Sequence, residues 1–140
     1  MTTCTKIYKD IPFAHRQPNH DGHCAFIHGH NWTVEITFAS KELDENNFIV
    51  DFGKLKYIKS WIDENLDHSC LVNSDDPCLM ELGESKYFKF FKMRDCSCEG
   101  IATFLFYTFS DLLKSNEPRD VKIVKLIVKE DSKNSAEYSE

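Results

Sequence analysis

The sequence predicts a single α+β domain in which one antiparallel sheet carries two helices on one face. Apolar and polar residues alternate from Thr5 to His15 and from His28 to Ala39, as expected of strands with one buried face. Two later stretches, beginning near Asp51 and Glu99, repeat apolar residues every three or four positions, which indicates amphipathic helices. No repeat, linker or low-complexity block divides the 140 residues, so we predict one domain covering residues 1–140.

The two predicted strands flank a polar loop from Arg16 to Ile27, which is rich in turn-forming residues. Pro12 lies within the first strand and predicts an edge position or a bulge, because proline cannot donate a hydrogen bond to the ladder. In the first strand, period two places five residues on one face, which ends in a histidine: Ile7, Lys9, Ile11, Phe13 and His15. The inward face of the second strand comprises His28, His30, Trp32, Val34, Ile36 and Phe38.

The first helix is predicted to be capped at its N-terminus by Asp51 and to end near Leu66. Its apolar stripe comprises Phe52, Leu55, Ile58, Ile62 and Leu66. The second helix is predicted from Glu99 to Ser115, and a final strand from Val121 to Glu130. Between the two predicted helices, only a short strand from Tyr87 to Met93 is predicted. The polar tail from Asp131 is expected to be frayed.

The composition narrows the class of protein. Apolar residues make up 41% of the chain and charged residues 29%, which is typical of a folded soluble domain. The formal charge of −6 argues against non-specific nucleic-acid binding and against an anionic membrane surface, because both require a basic face. No stretch has the length and apolarity of a membrane span or a signal peptide, so we expect a cytoplasmic protein.

The six cysteines are expected to be thiols, since a cytoplasmic protein rarely forms disulfides. Cys4, Cys70 and Cys78 belong to no motif. The pair Cys96-x-Cys98 is closer than the usual CxxC metal-binding spacing and has no partner pair, so it is a weak candidate for a second zinc site.

Histidines provide the strongest chemical signal. Five of the six lie between Phe13 and Phe38, and period two places His28 and His30 on the inward face of one strand. If the two strands form a hairpin, His15 joins them, and three neutral imidazoles with an open fourth position form a catalytic zinc arrangement. The alternative is that these rings are solvated or satisfy hydrogen bonds in the core. An HExxH motif is absent, so a metalloprotease is not indicated.

Three further features leave alternatives open. Cys24 is either a thiolate that abstracts protons, an inert cysteine, or a fourth zinc ligand. The adjacent Asp67 and His68 are either a surface pair at a helix exit or a proton relay in which the carboxylate orients the imidazole. Glu130 ends the predicted last strand facing inward, where a carboxylate is costly unless it is paired or functional; the alternative is an exposed edge position.

Four motifs resemble, in the same order, those of the 6-pyruvoyltetrahydropterin and 6-carboxytetrahydropterin synthase family. They are Phe13–Arg16, Cys24-x-x-x-His28-Gly29-His30-Asn31, Ile49–Phe52 and Leu66–His68, and the similarity covers nearly the whole chain. The three residues between Cys24 and His28 are similar to the bacterial 6-carboxytetrahydropterin synthase branch, whereas the animal pyruvoyl branch has a longer spacing.

The resemblance implies the tunnelling fold, whose sheets associate into barrels in a homohexamer built as a dimer of trimers. Active sites in that family are shared between subunits. It also implies that zinc is held by His15, His28 and His30. Cys24 is implied to be the catalytic base, with Asp67 and His68 from a neighbouring subunit as its relay.

The implied substrate is 7,8-dihydroneopterin triphosphate, which a 6-carboxytetrahydropterin synthase converts to 6-carboxytetrahydropterin, acetaldehyde and triphosphate on the route to 7-deazaguanines such as queuosine. The resemblance assigns Glu130 to the pterin ring, and Ser97 and Glu99 to the family's Pro-Thr-Ser/Ala-Glu segment. That segment here is Cys96-Ser97-Cys98-Glu99, so the proline is missing. The alternative role for Glu99 is that of a first-turn acid of its helix. Two other functions remain: 6-pyruvoyltetrahydropterin synthesis, and a non-catalytic zinc-stabilised pterin-binding module.

The loop before the second strand also contains candidates for triphosphate binding. Arg16, His20 and His23 lie in it, and the alternative is that they are solvated loop residues.

Overall fold

Strands β1 (Thr3–His15) and β2 (His28–Ser40) form an antiparallel hairpin at the centre of a six-stranded sheet in the computed structural model, which describes all 140 residues. The other strands are β3 (Ser69–Asn73), β4 (Lys89–Met93), β5 (Val121–Lys129) and β6 (Ser135–Ser139). The helices are α1 (Lys56–Asn65), α2 (Leu79–Glu84) and α3 (Cys98–Asn116), with single 3-10 turns at His23–Ala25 and Phe52–Lys54. The predicted α+β class is confirmed.

The sheet is mixed, so the prediction of a purely antiparallel sheet was wrong. Its strand order is β4-β3-β1-β2-β5-β6, and β3 pairs in parallel with both β1 and β4. Helix α2 is the crossover connection between β3 and β4, which returns the chain in the same direction, as parallel pairing requires. The sequence analysis missed β3 because four of its five residues are buried, and a strand buried on both faces shows no alternation.

A bulge in β1 corrects the predicted alternation of that strand. The pairing register with β2 shifts between Tyr8 and Ile11, where Asp10 has a positive φ of 56°. Tyr8 therefore faces the core and Ile7 faces solvent, although Ile11 and Phe13 point inward as predicted. The predicted bulge or edge is present, two residues before the position occupied by Pro12.

The first long helix, α1, follows its predicted apolar stripe with one displacement. Leu55, Ile58, Ile62 and Leu66 are buried, but Phe52 lies in the preceding 3-10 turn and is exposed. Asp51 caps that turn rather than α1, since its Oδ1 accepts a hydrogen bond from the Gly53 N–H at 2.9 Å. The third, short helix α2 was not predicted.

The tail forms a sixth strand instead of fraying. Asp131 Oδ1 accepts hydrogen bonds from the N–H groups of Lys133 and Asn134, which turns the chain back along β5. Ala136 and Tyr138 then pack against the core cluster. No helix in the structure combines the length and the apolar composition needed to cross a bilayer.

Candidate metal centre and active site

Three imidazoles meet at the loop end of the β1–β2 hairpin, where residues 16–27 connect the two strands. His15 and His28 are direct partners in the ladder, and His30 is the next inward-facing residue of β2. The centroid of the His15 ring lies 4.6 Å from that of His28 and 5.6 Å from that of His30. The predicted meeting of these three side chains is therefore confirmed.

Backbone carbonyl groups set the orientation of two of these rings. His15 Nδ1 lies 2.7 Å from the carbonyl oxygen of Cys96, and His28 Nδ1 lies 2.7 Å from that of Phe26. Because a carbonyl oxygen can only accept a hydrogen bond, each Nδ1 must carry the proton. With the proton on Nδ1, it is the Nε2 atom of each ring that can offer a lone pair, as in metal-ligating histidines.

Glu130 lies directly against this cluster, one residue beyond the end of β5. Its Oε1 is 3.3 Å from His15 Nε2 and 3.4 Å from His30 Nε2. One ligand atom from each of the three histidines and from Glu130 falls within 4.8 Å of all the others. The sequence assigned Glu130 to substrate alone, whereas its position makes it a neighbour of the metal-binding groups as well.

The donor set fits a divalent metal ion. The Nε2 atoms of His15 and His30 are buried and make no hydrogen bond, a state that costs free energy unless a ligand satisfies them. Burial is the main effect that lowers the pKa of His15, so this ring is neutral at neutral pH and available as a ligand. Imidazole nitrogens with a nearby carboxylate are the donors that zinc prefers.

Trp32 supports the cluster from below. Its ring is fully buried, and its centroid lies 4.9 Å from that of His15 and 5.3 Å from that of His30 in near-perpendicular contacts. Stacking on Phe13 and a 3.0 Å hydrogen bond from Nε1 to the Phe13 carbonyl oxygen hold the indole in place. The rings of His15 and His30 thus pack against a buried indole that is itself held in place.

A cavity of about 460 Å³ opens beside the imidazoles. It brings Cys24 together with all three residues assigned to substrate, Ser97, Glu99 and Glu130. The remaining lining residues are His15, Gln17, His28, Cys98, Lys133, Asn134 and Ser135. Six of the nine sequence-predicted site residues thus converge on a cavity of the size that small-molecule sites occupy.

Cys24 lies on the 3-10 turn His23–Ala25, and its side chain is exposed. It does not belong to the group of ligand atoms formed by the histidines and Glu130. This position disfavours the alternative of a fourth zinc ligand and leaves the thiol accessible from the cavity.

The N-terminus of α3 places Ser97 and Glu99 at the cavity. Ser97 Oγ caps the helix by accepting a hydrogen bond from the Gly100 N–H at 3.0 Å, and it lies 2.9 Å from Asp95 Oδ2. A Cβ atom at Gly100 would lie 2.3 Å from the carbonyl oxygen of Asp95, so only glycine permits this close approach. The Ser97 hydroxyl is therefore engaged in the fold, and Glu99 is the freer of the two side chains.

Asp67 and His68 do not lie at this cavity. They pair with each other, with 2.5 Å between Asp67 Oδ1 and His68 Nδ1, and the His68 side chain is 81% exposed. His68 borders a separate groove with Gly29, His30 and Asn31, whereas Asp67 borders a cavity of about 470 Å³ between β1 and α1. Within one chain, the predicted relay is not beside Cys24.

Four residues that line the cavity were not predicted: Gln17, Lys133, Asn134 and Ser135. Lys133 and Asn134 belong to the turn between β5 and β6, which had been assigned to a frayed tail; the turn-forming Asp131 followed by Asn134 is the signal that indicates it. Gln17 has a buried Nε2 atom without a hydrogen-bond partner, and nothing in the sequence marks it.

Cys96 is a buried thiol and Cys98 a half-buried one, and neither belongs to the cluster of ligand atoms. Cys96 Sγ donates to the carbonyl oxygen of Arg16 and Cys98 Sγ to that of Val128. Burial raises the pKa of each thiol to about 11, so both are protonated at neutral pH in the metal-free protein.

Comparison with solved structures identifies the fold. The structure is similar to an uncharacterized protein from Wolinella succinogenes, with a TM-score of 0.84, 23% identity and coverage of 99% of this chain and 97% of that one. It is also similar to the 6-pyruvoyl tetrahydropterin synthase of Caenorhabditis elegans, with a TM-score of 0.66, 21% identity and coverage of 99% and 95%. These similarities confirm the predicted tunnelling fold.

Sequence comparison identifies the family. The chain is 40% identical over 77 residues to the 6-carboxy-5,6,7,8-tetrahydropterin synthase of Rickettsia bellii, a match that covers 54% of this chain and 55% of that protein. The chain thus spans about half the length of this relative. The enzyme of the same name from Aquifex aeolicus is 33% identical over 124 residues, covering 84% of this chain and 76% of that protein. Residues 4–140 match the family described as 6-pyruvoyl tetrahydropterin synthase, and the chain belongs to that family.

Proposed function

We propose that this protein is a zinc-dependent lyase that converts 7,8-dihydroneopterin triphosphate to 6-carboxy-5,6,7,8-tetrahydropterin, acetaldehyde and triphosphate. The observation that carries the proposal is the cluster of three imidazoles and Glu130 next to a cavity that the exposed Cys24 also lines. The relatives from Rickettsia and Aquifex, which carry the name of this activity, support the choice of substrate and product.

His15, His28 and His30 are the proposed zinc ligands. Two of their Nε2 atoms are buried without hydrogen bonds, and two of their Nδ1 protons are held by backbone carbonyls, which is the state a zinc ligand requires. Zinc, when bound, supplies Lewis acidity to oxygen atoms of the substrate.

Cys24 is the proposed acid–base group, which takes a proton from the substrate side chain and returns it. Its exposure at the cavity and its place outside the ligand cluster suit this role. Asp67 would hold His68 in one tautomer through the hydrogen bond to Nδ1, leaving Nε2 to relay protons.

Because this pair lies away from Cys24 within one chain, we propose that a neighbouring subunit supplies it. This arrangement requires an assembly with shared active sites, for which a homohexamer built as a dimer of trimers is the proposed form.

Glu130 is the proposed anchor for the pterin ring, with Glu99 beside it. A carboxylate accepts hydrogen bonds from both an amino group and a protonated ring nitrogen, which makes it a two-point partner for the pterin edge. Ser97 contributes mainly by fixing the start of α3, since its hydroxyl is already bonded to Asp95 and Gly100.

The proposed product would feed the synthesis of 7-deazaguanines such as queuosine, in the cytoplasm. Two alternatives give different chemistry. A 6-pyruvoyltetrahydropterin synthase would keep the side chain intact; the three-residue spacing between Cys24 and His28 favours the carboxy product instead. A non-catalytic zinc-stabilised pterin-binding module would require a protected Cys24, whereas this thiol is exposed.

The deciding experiment incubates the zinc-loaded protein with 7,8-dihydroneopterin triphosphate and identifies the products by mass spectrometry, in parallel with Cys24→Ala. We expect 6-carboxytetrahydropterin and acetaldehyde from the wild type only. A pyruvoyl product would assign the protein to the other branch. Unchanged substrate, together with a Cys24 that resists alkylation while zinc is bound, would favour the binding module.

A further inference from the structure

Arg16, which is half-buried, and the buried Asp76 form an ion pair next to the candidate metal centre. Arg16 Nε lies 2.8 Å from Asp76 Oδ2, and Nη2 lies 2.8 Å from Oδ1, which is the bidentate geometry that guanidinium and carboxylate groups prefer. Asp76 is only 5% exposed. The positive charge of Arg16 is therefore neutralised inside the protein, so this residue is not a free cation for a substrate phosphate.

The same guanidinium reaches the turn that carries Cys24. Arg16 Nη1 donates to the carbonyl oxygen of Ala25 at 3.3 Å, and the neighbouring Gln17 N–H donates to the carbonyl oxygen of Cys24 at 2.7 Å. The carbonyl group of Cys24 thus accepts a backbone hydrogen bond, and the carbonyl group of the next residue, Ala25, accepts one from the Arg16 side chain. These two bonds fix a loop segment that has no regular secondary structure beyond a single 3-10 turn.

Both members of the pair are tied to rigid parts of the fold. Asp76 Oδ1 also accepts from the Cys78 N–H at 2.8 Å, and the Asp76 N–H donates to the Asn73 carbonyl at the end of β3. On the other side, the Arg16 carbonyl accepts from Cys96 Sγ. Cys96 in turn offers its own carbonyl to His15 Nδ1. The turn that carries Cys24 and the imidazole of His15 are therefore held by the same set of hydrogen bonds, through Arg16 and Cys96.

We propose that Arg16 and Asp76 are a positioning pair that sets the location of Cys24 relative to His15 and the cavity. Neither residue lines that cavity, so both act through the Cys24 turn rather than on the substrate. The effect on turnover rests on the proposed function, but the effect on the turn does not.

The test uses the full chain with Asp76→Asn and Arg16→Lys, each of which removes the bidentate geometry with a small change in volume. Hydrogen exchange of residues 17–27 is expected to be more than about tenfold faster in both variants, with exchange in β2 and β5 unchanged. In the zinc-loaded enzyme, kcat is expected to fall about 10- to 100-fold with a smaller change in KM, because the thiol is misplaced rather than the binding groups. The double variant should be no worse than either single one, because both remove the same interaction.

Glu117→Gln is the matched control, since it weakens another arginine–carboxylate pair, Arg119–Glu117, away from the cavity. It should leave the exchange of residues 17–27 and kcat at wild-type values. If Asp76→Asn fails to fold, Arg16→Lys carries the test, because it keeps a cation beside Asp76.

The proposal is overturned if folded variants show wild-type exchange in residues 17–27, or if exchange rises equally across the sheet, which would indicate a purely global role. The variants could show faster exchange in residues 17–27 while the wild type leaves the substrate unchanged. That result would support the positioning pair and reject the proposed function. The two failures are therefore distinguishable.

Discussion

The Nδ1 atom of His15 lies 2.7 Å from the backbone carbonyl oxygen of Cys96, which joins the end of β1 to the segment that begins α3. This one bond fixes the tautomer of His15, so that its Nε2 faces His28, His30 and Glu130 with a lone pair. Because the acceptor is a backbone atom, the side chain of Cys96 is not what orients the ring. The missing proline of the family's motif is thus compatible with a well-oriented imidazole.

Replacement of His15 should remove the metal site. His15→Ala is expected to lower zinc affinity more than about 100-fold, because a direct ligand is lost and not only a supporting hydrogen bond. Isothermal titration calorimetry and metal analysis after dialysis would measure the loss. His20→Ala removes an exposed imidazole outside the cluster and should bind zinc like the wild type; equal affinity in both variants would contradict the assigned ligands.

Two inactive variants should restore activity when mixed. If Cys24 comes from one subunit and His68 from its neighbour, an equal mixture of Cys24→Ala and His68→Ala subunits that assemble at random contains about a quarter of intact sites. The assay is turnover after joint unfolding and refolding, with each variant refolded alone as the control. A mixture as inactive as its components would argue that each site belongs to one chain.

Gly100→Ala should disturb the cavity through the backbone. The new Cβ would lie 2.3 Å from the carbonyl oxygen of Asp95, so the segment carrying Ser97 and Glu99 has to move, at a cost of about 1–3 kcal/mol in unfolding free energy. Chemical denaturation and KM for the pterin would report the two effects. Gly83→Ala in α2 is the control, because its nearest contact is an ordinary 3.5 Å and alanine favours a helix. Equal stability of the two variants would contradict the steric argument.

Asp76 should make folding stability depend on acid pH. Its hydrogen bonds from Arg16 are the main effect that holds the pKa of this carboxyl below its ordinary value of 3.8, so the unfolded chain binds the proton more readily than the native one. The stabilisation is therefore complete above about pH 4 and is lost as the pH falls through the native pKa. Denaturant unfolding at pH 7 and pH 3 should show a gap of about 2–3 kcal/mol between wild type and Asp76→Asn that shrinks at the lower pH. A gap that is constant with pH would show that the ionised pair is not its source.

The sequence by itself determined the central hairpin, the two long helices and the content of the candidate site. Period two in β2 places His28 and His30 on the face that carries Trp32, and this requires no knowledge of the tertiary structure. Apolar spacing located α3 within one residue at each end. The six predicted residues that line the cavity, together with His30 beside them, were all marked by residue type and motif.

Strands β3 and β6 and the contacts between distant residues are visible only in the tertiary structure. The parallel strand β3 is buried on both faces and β6 pairs only because Asp131 turns the chain, so neither leaves a long periodic pattern. The Asp67–His68 pair lies away from Cys24 within one chain. The ion pair between Arg16 and Asp76 joins residues that are 60 positions apart in the sequence. Contacts of this kind depend on how the elements pack against each other, and local sequence preferences do not specify them.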